Sequence, residues 1–150
     1  MDASETLLTC REIGESAPNS DQISLSYDDR LLRRKRLVSA SGQSFLVDLP
    51  KTQSVEAGRA FLLSDGQRIE ILAAAEPLLK IEGDLPKLAW HIGNRHTPCE
   101  IQSDALLIRD DHVIAAMLTT LGAKISKIDA PFQPEGGAYG HGRTFGHSHD

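Results

Sequence analysis

Histidines concentrate at three places in the 150-residue sequence, and each place could bind a metal ion. His147 and His149 stand one residue apart near the end of the sequence, and His141 precedes them. Neutral imidazole nitrogens suit nickel, copper and zinc, and a Gly-rich chain lets such ligands adapt to the ion. This segment is therefore a candidate metal-binding tail, and the alternative is a solvated tail that binds nothing.

The second place is the segment Trp90–Pro98, which holds His91 and His96. His91 lies in helical register near Leu88, which predicts a half-buried packing histidine. His96 follows a helix-ending Gly-Asn pair and precedes a proline, so we expect it on an exposed loop. Loop histidines are more often inert than functional, and spacing alone leaves both interpretations of His96 open.

The third place is Asp110-Asp111-His112, at the predicted start of a helix. One of the two carboxylates is expected to cap this helix, because a side-chain oxygen there accepts from free backbone N–H groups. A capping carboxylate beside a surface histidine is the simpler interpretation, and a metal site is the alternative. Cys99 heads a predicted strand, where a buried core thiol is more usual than a metal ligand.

The overall composition is that of a globular protein, with 40% hydrophobic and 25% charged residues. A net charge of −5 argues against a general attraction to nucleic acid. No apolar run approaches the roughly 18–20 residues of a membrane span, and the first residues lack the pattern of a secretory signal. The two cysteines stand far apart, which argues against a disulfide framework. We therefore expect a cytoplasmic protein that does not enter a membrane.

The elements that position these residues fall into two regions with different patterns. Residues 1–75 contain short strand-like segments and no amphipathic helix, which predicts a small β-domain. An Asp65-Gly66 pair predicts a tight hairpin between two of these segments. The predicted strands are Ile23–Tyr27, Phe45–Leu49, Ala60–Leu63 and Arg68–Leu72.

Residues 76–130 show helical and strand patterns in alternation. A strand at Leu78–Ile81 precedes a helix that Asp84 caps, with Pro86 in its first turn. A hairpin and a second helix follow, the latter with an apolar stripe, and a last strand ends the region. The resulting order β-α-β-β-α-β predicts a ferredoxin-like domain, so the fold class is α+β. These later elements are the hairpin Cys99–Gln102 and Ala105–Arg109, the stripe Val113, Ile114, Met117, Leu118 and Leu121, and the strand Ala123–Ile128.

Residues 131–150 are rich in Pro, Gly and His. Such a composition buries too little apolar surface to offset the entropy lost on ordering. We expect this tail to be disordered until something binds it.

The segment His91-Ile92-Gly93-Asn94-Arg95-His96-Thr97-Pro98 closely resembles the His-x-Gly-Asn-Arg-His-x-Pro motif of the urease accessory nickel chaperones, the UreE family. The resemblance extends over essentially the whole chain. It includes Glu76 after an Ala-rich strand, the Asp-His pair before the second helix, the segment 131–139 and the His-bearing tail. The Arg-rich strand Arg30–Arg36 and Asp65-Gly66 in the first region also fit.

The resemblance implies a homodimer in which His96 of each subunit faces its twofold mate, so that two imidazoles hold one Ni(II) ion. An isologous interface doubles any ligand placed on its axis, which makes such sharing physically reasonable. Further candidate ligands are His141, His147 and His149 in the tail, His112, and in addition Asp110 and His91. Family members can carry His-x-His where this chain has Asp110-Asp111-His112.

The family further implies a function and partners. The protein would be a non-enzymatic chaperone that delivers nickel to the urease apoprotein together with accessory proteins, among them a GTPase. Zn(II) or Cu(II) could also bind in vitro, because divalent affinities follow the Irving–Williams order.

Two other functions are weighed against this one. A ferredoxin-like RNA-binding module could use the basic run 30–36, but such sheets stack bases on strand aromatics, and only 5% of this chain is aromatic. A metal-dependent hydrolase would need fixed ligands and a placed general base, and no His-Glu-x-x-His pattern occurs.

Overall fold

The computed structural model describes residues 7–136, which form an α+β fold of two compact units that meet in the sequence between Ala73 and Ala74. The first unit is built from strands and a single turn of 3-10 helix, Asp28–Arg30. The second unit holds both α-helices of the described chain. Neither helix in residues 7–136 has the length and apolar character needed to span a lipid bilayer.

The first unit is a mixed six-stranded sheet in the order β2-β6-β5-β1-β4-β3. Strands β1 and β4 run parallel, as do β2 and β6, and the other neighbours are antiparallel. The strands are β1 Leu8–Glu15, β2 Asp21–Leu25, β3 Leu31–Val38, β4 Ser44–Ser54, β5 Arg59–Leu63 and β6 Arg68–Ala73.

Alternating burial explains how this sheet forms its core. Phe45, Val47 and Leu49 of β4 are buried while the residues between them are partly exposed, as the pleat of a strand requires. The predicted hairpin between β5 and β6 is confirmed, with Gly66 at φ +92°. A positive φ is favourable for glycine, and the turn closes through the bond from the Gly66 N–H to the Leu63 carbonyl.

The second unit has the predicted element order. Its antiparallel sheet runs β10-β7-β9-β8, so β10 and β8 are the two edges. The elements are β7 Ala75–Glu82, α1 Leu85–Asn94, β8 Glu100–Ile101, β9 Leu106–Arg109, α2 His112–Thr120 and β10 Lys124–Pro131.

The two helices bury one stripe each in the core of the second unit. Leu88 and Ile92 of α1 and Ile114 and Leu118 of α2 pack with sheet residues such as Leu79, as the helical periodicity predicts. Val113 was predicted to belong to the α2 stripe, but it is 52% exposed. It lies in the first turn of α2, two residues after the capping Asp111 and off the buried stripe.

The ordered chain extends further than the sequence predicted. The tail was expected to begin at residue 131, yet β10 continues to Pro131 and the Phe132 side chain is fully buried. Burying one Phe side chain contributes about 1.5–3 kcal/mol, which offsets part of the entropy lost on ordering the residues around it. Residues 131–136 therefore belong to the folded unit.

Candidate functional site

His96 occupies an unusual backbone conformation immediately after α1. The helix ends at Asn94, and the His96 N–H donates to the Gly93 carbonyl at 2.9 Å. The Thr97 N–H donates back to the Ile92 carbonyl at 3.3 Å. His96 itself has φ +56°, the left-handed conformation that usually falls to glycine or asparagine after a helix.

The side chain of His96 is exposed, as expected for a loop residue. A non-glycine residue in the left-handed region costs about 1 kcal/mol or more and persists only where its surroundings fix it. Such residues cluster at functional sites. The loop therefore combines a fixed backbone with an imidazole that is open to a ligand.

His91 has different surroundings on α1. It is half-buried, as the helical register predicted, and the Trp90 ring meets it edge-on with ring centroids 5.0 Å apart. Trp90 is 63% exposed, so this aromatic pair lies at the surface of the helix. His91 is thus a packing residue with a partly accessible ring.

The start of α2 separates the roles of its two carboxylates. Asp111 is the cap, since its Oδ1 accepts from the N–H groups of Val113 at 2.9 Å and Ile114 at 3.1 Å. Asp110 does not cap the helix, and its Oδ2 lies 3.9 Å from the Lys127 Nζ. Asp110 and His112 are both exposed, so a carboxylate and an imidazole stay available there.

A surface depression of about 540 Å³ connects the two helix ends. Thr97 and Pro98, which follow His96, line it together with Asp110, Asp111 and Glu76. The loop after His96 and the start of α2 therefore share one surface, on which these three carboxylates outnumber the cation Arg109 and give an acidic balance. Among residues 7–136, however, no three His, Cys, Asp or Glu side chains are grouped so that they could hold one metal ion. His141, His147 and His149 lie outside the described residues.

Cys99 packs as a core residue. Its side chain is partly buried against the core of the second unit. Burial, together with the negative charges of Glu100 and Glu135, raises the pKa of the Cys99 thiol to about 11. The thiol is protonated at neutral pH, which favours the predicted core role over that of a thiolate ligand.

Glu100 has a structural role that the sequence did not indicate. Its Oε1 accepts from the Gln133 N–H at 2.9 Å and its Oε2 accepts from the Gln102 Nε2 at 3.0 Å. A single glutamate on a short strand carries no pattern that would predict a partner 33 residues away.

Fewer residues of the basic run 30–36 are exposed than the sequence predicted. Arg30 is buried, donates from Nη1 to the Leu25 carbonyl at 2.8 Å and stacks over the Tyr27 ring, so it is a core residue rather than a phosphate contact. Arg34 donates to the Asp48 carboxylate at 3.0 Å. The exposed part of the run is Arg33–Arg36 on β3, an edge strand. Edge strands commonly carry charges that prevent pairing with another chain, which weakens the RNA-binding alternative.

Comparison with known families and relatives covers almost the whole chain. The model described as the UreE urease accessory protein, N-terminal domain, matches residues 4–74, and its C-terminal counterpart matches residues 76–150. The urease accessory protein UreE of Ruegeria pomeroyi is 56% identical over 147 residues, covering 95% of this chain and 99% of the relative. The proteins of the same name from Rhodobacter capsulatus and Paracoccus denitrificans are 58% and 60% identical, over 87% and 85% of this chain and 83% and 82% of their own lengths.

These matches confirm the resemblance first noted in the segment from His91 to Pro98. UreE proteins are accessory chaperones that bind nickel for urease maturation, and they are not enzymes. Identity above 50% extends over more than four-fifths of both partners, and the two family models together match residues 4–74 and 76–150. The chain therefore belongs to the UreE family of urease accessory proteins.

Proposed function

We propose that this protein is a nickel metallochaperone that delivers Ni(II) to the urease apoprotein during urease maturation. The observation that carries the proposal is the exposed His96 imidazole on a backbone fixed at φ +56°, inside the His91–Pro98 motif. A costly conformation that presents a metal-binding side chain to solvent has no benefit for stability. A metal-binding role would explain why His96 keeps this conformation.

The tight site is a pair of His96 imidazoles, one from each subunit of a homodimer. One exposed imidazole is a weak metal site, whereas a twofold axis supplies a second identical ligand without a further residue. His141, His147 and His149 of the tail complete the coordination shell and exchange during delivery. Their neutral nitrogens suit Ni(II), and we expect Zn(II) and Cu(II) to bind in vitro as well.

A second, weaker site lies at the start of α2. Asp110 and His112 are exposed there and border the acidic depression, so they would hold a metal ion loosely as it enters or leaves. His91 contributes less, because its ring is half-buried beside Trp90.

Each region of the chain has a separate role in this proposal. Residues 76–130 form a ferredoxin-like metal-binding domain, which the strand order β10-β7-β9-β8 and the two intervening helices support. Residues 1–75 form the β-domain that contacts partner proteins, namely the urease apoprotein and its accessory complex with a GTPase. The histidines within residues 131–150 supply the further ligands. The proposed location is the cytoplasm, where urease maturation would take place.

Calorimetric titration with Ni(II) tests the tight site. The wild type is expected to bind one tight nickel per dimer, and His96→Ala is expected to lose this ion while light scattering still reports a dimer. Thr97→Ala is the matched control, because it alters the neighbouring side chain of the same loop and leaves the imidazole. Unaltered nickel affinity in a folded His96→Ala dimer, or a monomeric wild type, would overturn the shared site.

Delivery is tested separately with urease apoprotein and its accessory proteins. Nickel-loaded wild type is expected to raise the urease activity recovered when a chelator competes for free nickel. Protein with the His96→Ala change should give no more activity than nickel alone. Equal activation by both proteins would contradict delivery through this site.

A further inference from the structure

The first unit has four consecutive exposed cations on β3, Arg33–Arg36, here called the basic edge. β3 is the last strand of its sheet, and within residues 7–136 it pairs only with β4. The buried side chains of Leu32 and Leu37 hold both ends of this segment in the core. The basic edge is therefore a fixed strand with one side left for a further strand.

The other edge of this sheet, β2, is partly covered. The Gln22 carbonyl accepts from the Ala40 N–H at 2.7 Å. The Asp21 carboxylate accepts from the hydroxyl groups of Ser39 and Ser41. The turn after β3 thus shields β2 against pairing with another chain. No such contact from the described residues reaches the basic edge, so β3 is the edge at which another strand can add.

The positive charges of the basic edge are only partly compensated. Arg34 pairs with Asp48 of β4, with 3.0 Å between its Nη1 and the Oδ2 of Asp48. Within residues 7–136, Arg33, Lys35 and Arg36 form no ion pair. An incoming segment would therefore meet three cations that lack an opposite charge.

The register of β3 against β4 shows which way Lys35 faces. Lys35 lies opposite Val47, and residues opposite each other in a sheet share a face. Val47 is fully buried, so Lys35 lies on the core-facing side and is exposed at the edge of the sheet. An apolar strand added there would desolvate the ammonium group without giving it a partner. An added strand therefore needs an acidic residue opposite Lys35.

The neighbours of Lys35 extend this requirement to both faces of the strand. Arg34 and Arg36 alternate with Lys35 and so lie on the opposite face. Pairing with the same edge of a second copy would place like charges opposite one another, which is destabilising. A run of acidic residues instead gives each cation an opposite charge. Nucleic acid fits less well, because β3 has no aromatic side chain on which a base could stack.

We propose that the basic edge binds an extended acidic segment of a partner protein, which adds to the first sheet as a strand beside β3. Backbone hydrogen bonds would hold the segment, and its carboxylates would select it. The exposed Asp28 and Asp29 precede β3 and would repel a longer acidic run, so the acidic part matches the length of the basic edge. This inference rests on the proposed function, since it gives the partner contact of residues 1–75 a location and a chemistry.

Fluorescence anisotropy with the full chain tests the proposal. The probe is a fluorescein-labelled peptide with one glutamate for each residue of the basic edge, flanked by threonines, and the control peptide has lysines instead of glutamates. Arg33→Glu combined with Lys35→Glu should weaken binding of the glutamate peptide by about tenfold or more, since two attractive pairs become repulsive. Lys87→Glu combined with Lys124→Glu is the matched control, because these exposed lysines of the second unit give the same change in net charge.

The wild type should bind the glutamate peptide, lose it progressively as salt is raised, and ignore the lysine peptide. No binding of the glutamate peptide at low salt, or equal losses in the two double variants, would overturn the proposal. Tighter binding of a labelled oligouridylate, lost in the charge-reversal variant, would assign the basic edge to nucleic acid and overturn it as well.

N-methylated versions of the glutamate peptide test the backbone pairing. Alternate residues of an added strand direct their N–H groups towards β3. Methylation of one alternate set should therefore abolish binding, while methylation of the other set should leave most of it. Equal effects of the two sets would show that charge alone holds the peptide and would overturn strand addition.

Nickel titration of the same proteins separates this inference from the proposed function. The charge-reversal variant should keep the nickel affinity of the wild type, because its changed side chains are exposed on the first unit. If it does not fold, Arg33→Gln combined with Lys35→Gln replaces it, with a smaller loss of about threefold expected. Failure of the proposed function would appear as unaltered nickel binding by His96→Ala, whatever the peptide does.

Discussion

Two helix ends in the second unit each present an exposed histidine, but their backbones differ. At the end of α1, His96 has φ +56°, a conformation unfavourable for any residue with a Cβ. At the start of α2, His112 is the first helical residue, and Asp111 before it caps two backbone N–H groups. One end carries a conformational cost and the other a stabilising interaction.

The difference shows which histidine needs a functional explanation. A cap contributes about 1 kcal/mol to stability, so Asp111 is accounted for without any ligand, and His112 lies next to it in an ordinary conformation. Glycine or asparagine would suit the His96 backbone better, so stability does not explain a histidine there. The comparison therefore supports the proposal of a tight nickel site at the α1 end and of at most a weak one at the α2 end.

The largest expected effect is a difference in nickel affinity between variants of the two helix ends. His96→Ala should weaken the tight site by about 100-fold or more, equivalent to about 2.7 kcal/mol, since both subunits lose a ligand. Asp110→Ala combined with His112→Ala should change the tight site by less than about threefold and remove only weak binding. Competition with a chromophoric nickel chelator measures both. A larger loss in the double variant would reverse the assignment.

The free energy of unfolding, unlike nickel affinity, should depend on the α2 end. Asp111→Ala removes the α2 cap and is expected to lower the free energy of unfolding by about 1 kcal/mol while leaving nickel affinity unchanged. Asp111→Asn is the matched control, because an asparagine oxygen caps nearly as well. Urea denaturation of the metal-free proteins measures the difference. Equal stability of Asp111→Ala and wild type would mean that the cap contributes nothing here.

The backbone cost at His96 can be measured directly. His96→Gly and His96→Ala should both lose the tight nickel, but the glycine variant should be more stable by about 0.5–1 kcal/mol, because only alanine pays for a positive φ. Thermal unfolding without metal compares the two. If alanine is as stable as glycine at this position, the left-handed backbone is not strained.

The fold could be predicted where the hydrophobic period was regular. The stripe containing Leu88 and Ile92 and the capping residue Asp84 predicted α1, and the structure confirms both. The Asp65-Gly66 pair predicted the hairpin in the same way. The ordered course of residues 131–136 could not be predicted, because a buried Phe132 in a Pro- and Gly-rich segment has no periodic neighbours, and the Gln133 N–H after it donates to a glutamate that is distant in sequence, Glu100.

The candidate site could be predicted from its motif, but not from residue types and spacing alone. Spacing left open whether the loop histidine His96 is inert or functional, and only the full segment from His91 to Pro98 favoured a functional role. The positive φ of His96 could not be predicted from the sequence. Glycine and asparagine usually adopt this conformation after a helix, so the sequence favoured Gly93 or Asn94 for it. For Arg30 the prediction was wrong in a different way. A run of basic residues predicts that every member is exposed, but Arg30 is buried with its guanidinium over the Tyr27 ring.

Cys99 sharpens the comparison at the α1 end, because a thiolate three residues after His96 would add a ligand that the α2 end lacks. Its pKa of about 11 argues against this, since nickel would have to displace a tightly held proton from the sulfur, whereas a neutral imidazole binds through a ring nitrogen that carries no proton. Cys99→Ala is therefore expected to leave nickel affinity at pH 7.5 within about twofold of the wild type. A loss comparable to that of His96→Ala would place the sulfur in the tight site.

The same thiol predicts how stability depends on pH. The native state holds the Cys99 proton more tightly than the unfolded chain, whose thiol has the usual pKa near 9. Between about pH 9 and 11 the native state therefore binds more protons, and the free energy of unfolding falls as pH rises through that window. Below pH 9 both states are protonated, so the contribution is constant. The wild-type unfolding midpoint should decline more steeply than that of Cys99→Ala from pH 9 to 11, whereas parallel curves would show that the thiol ionises as freely in the native state as in the unfolded chain.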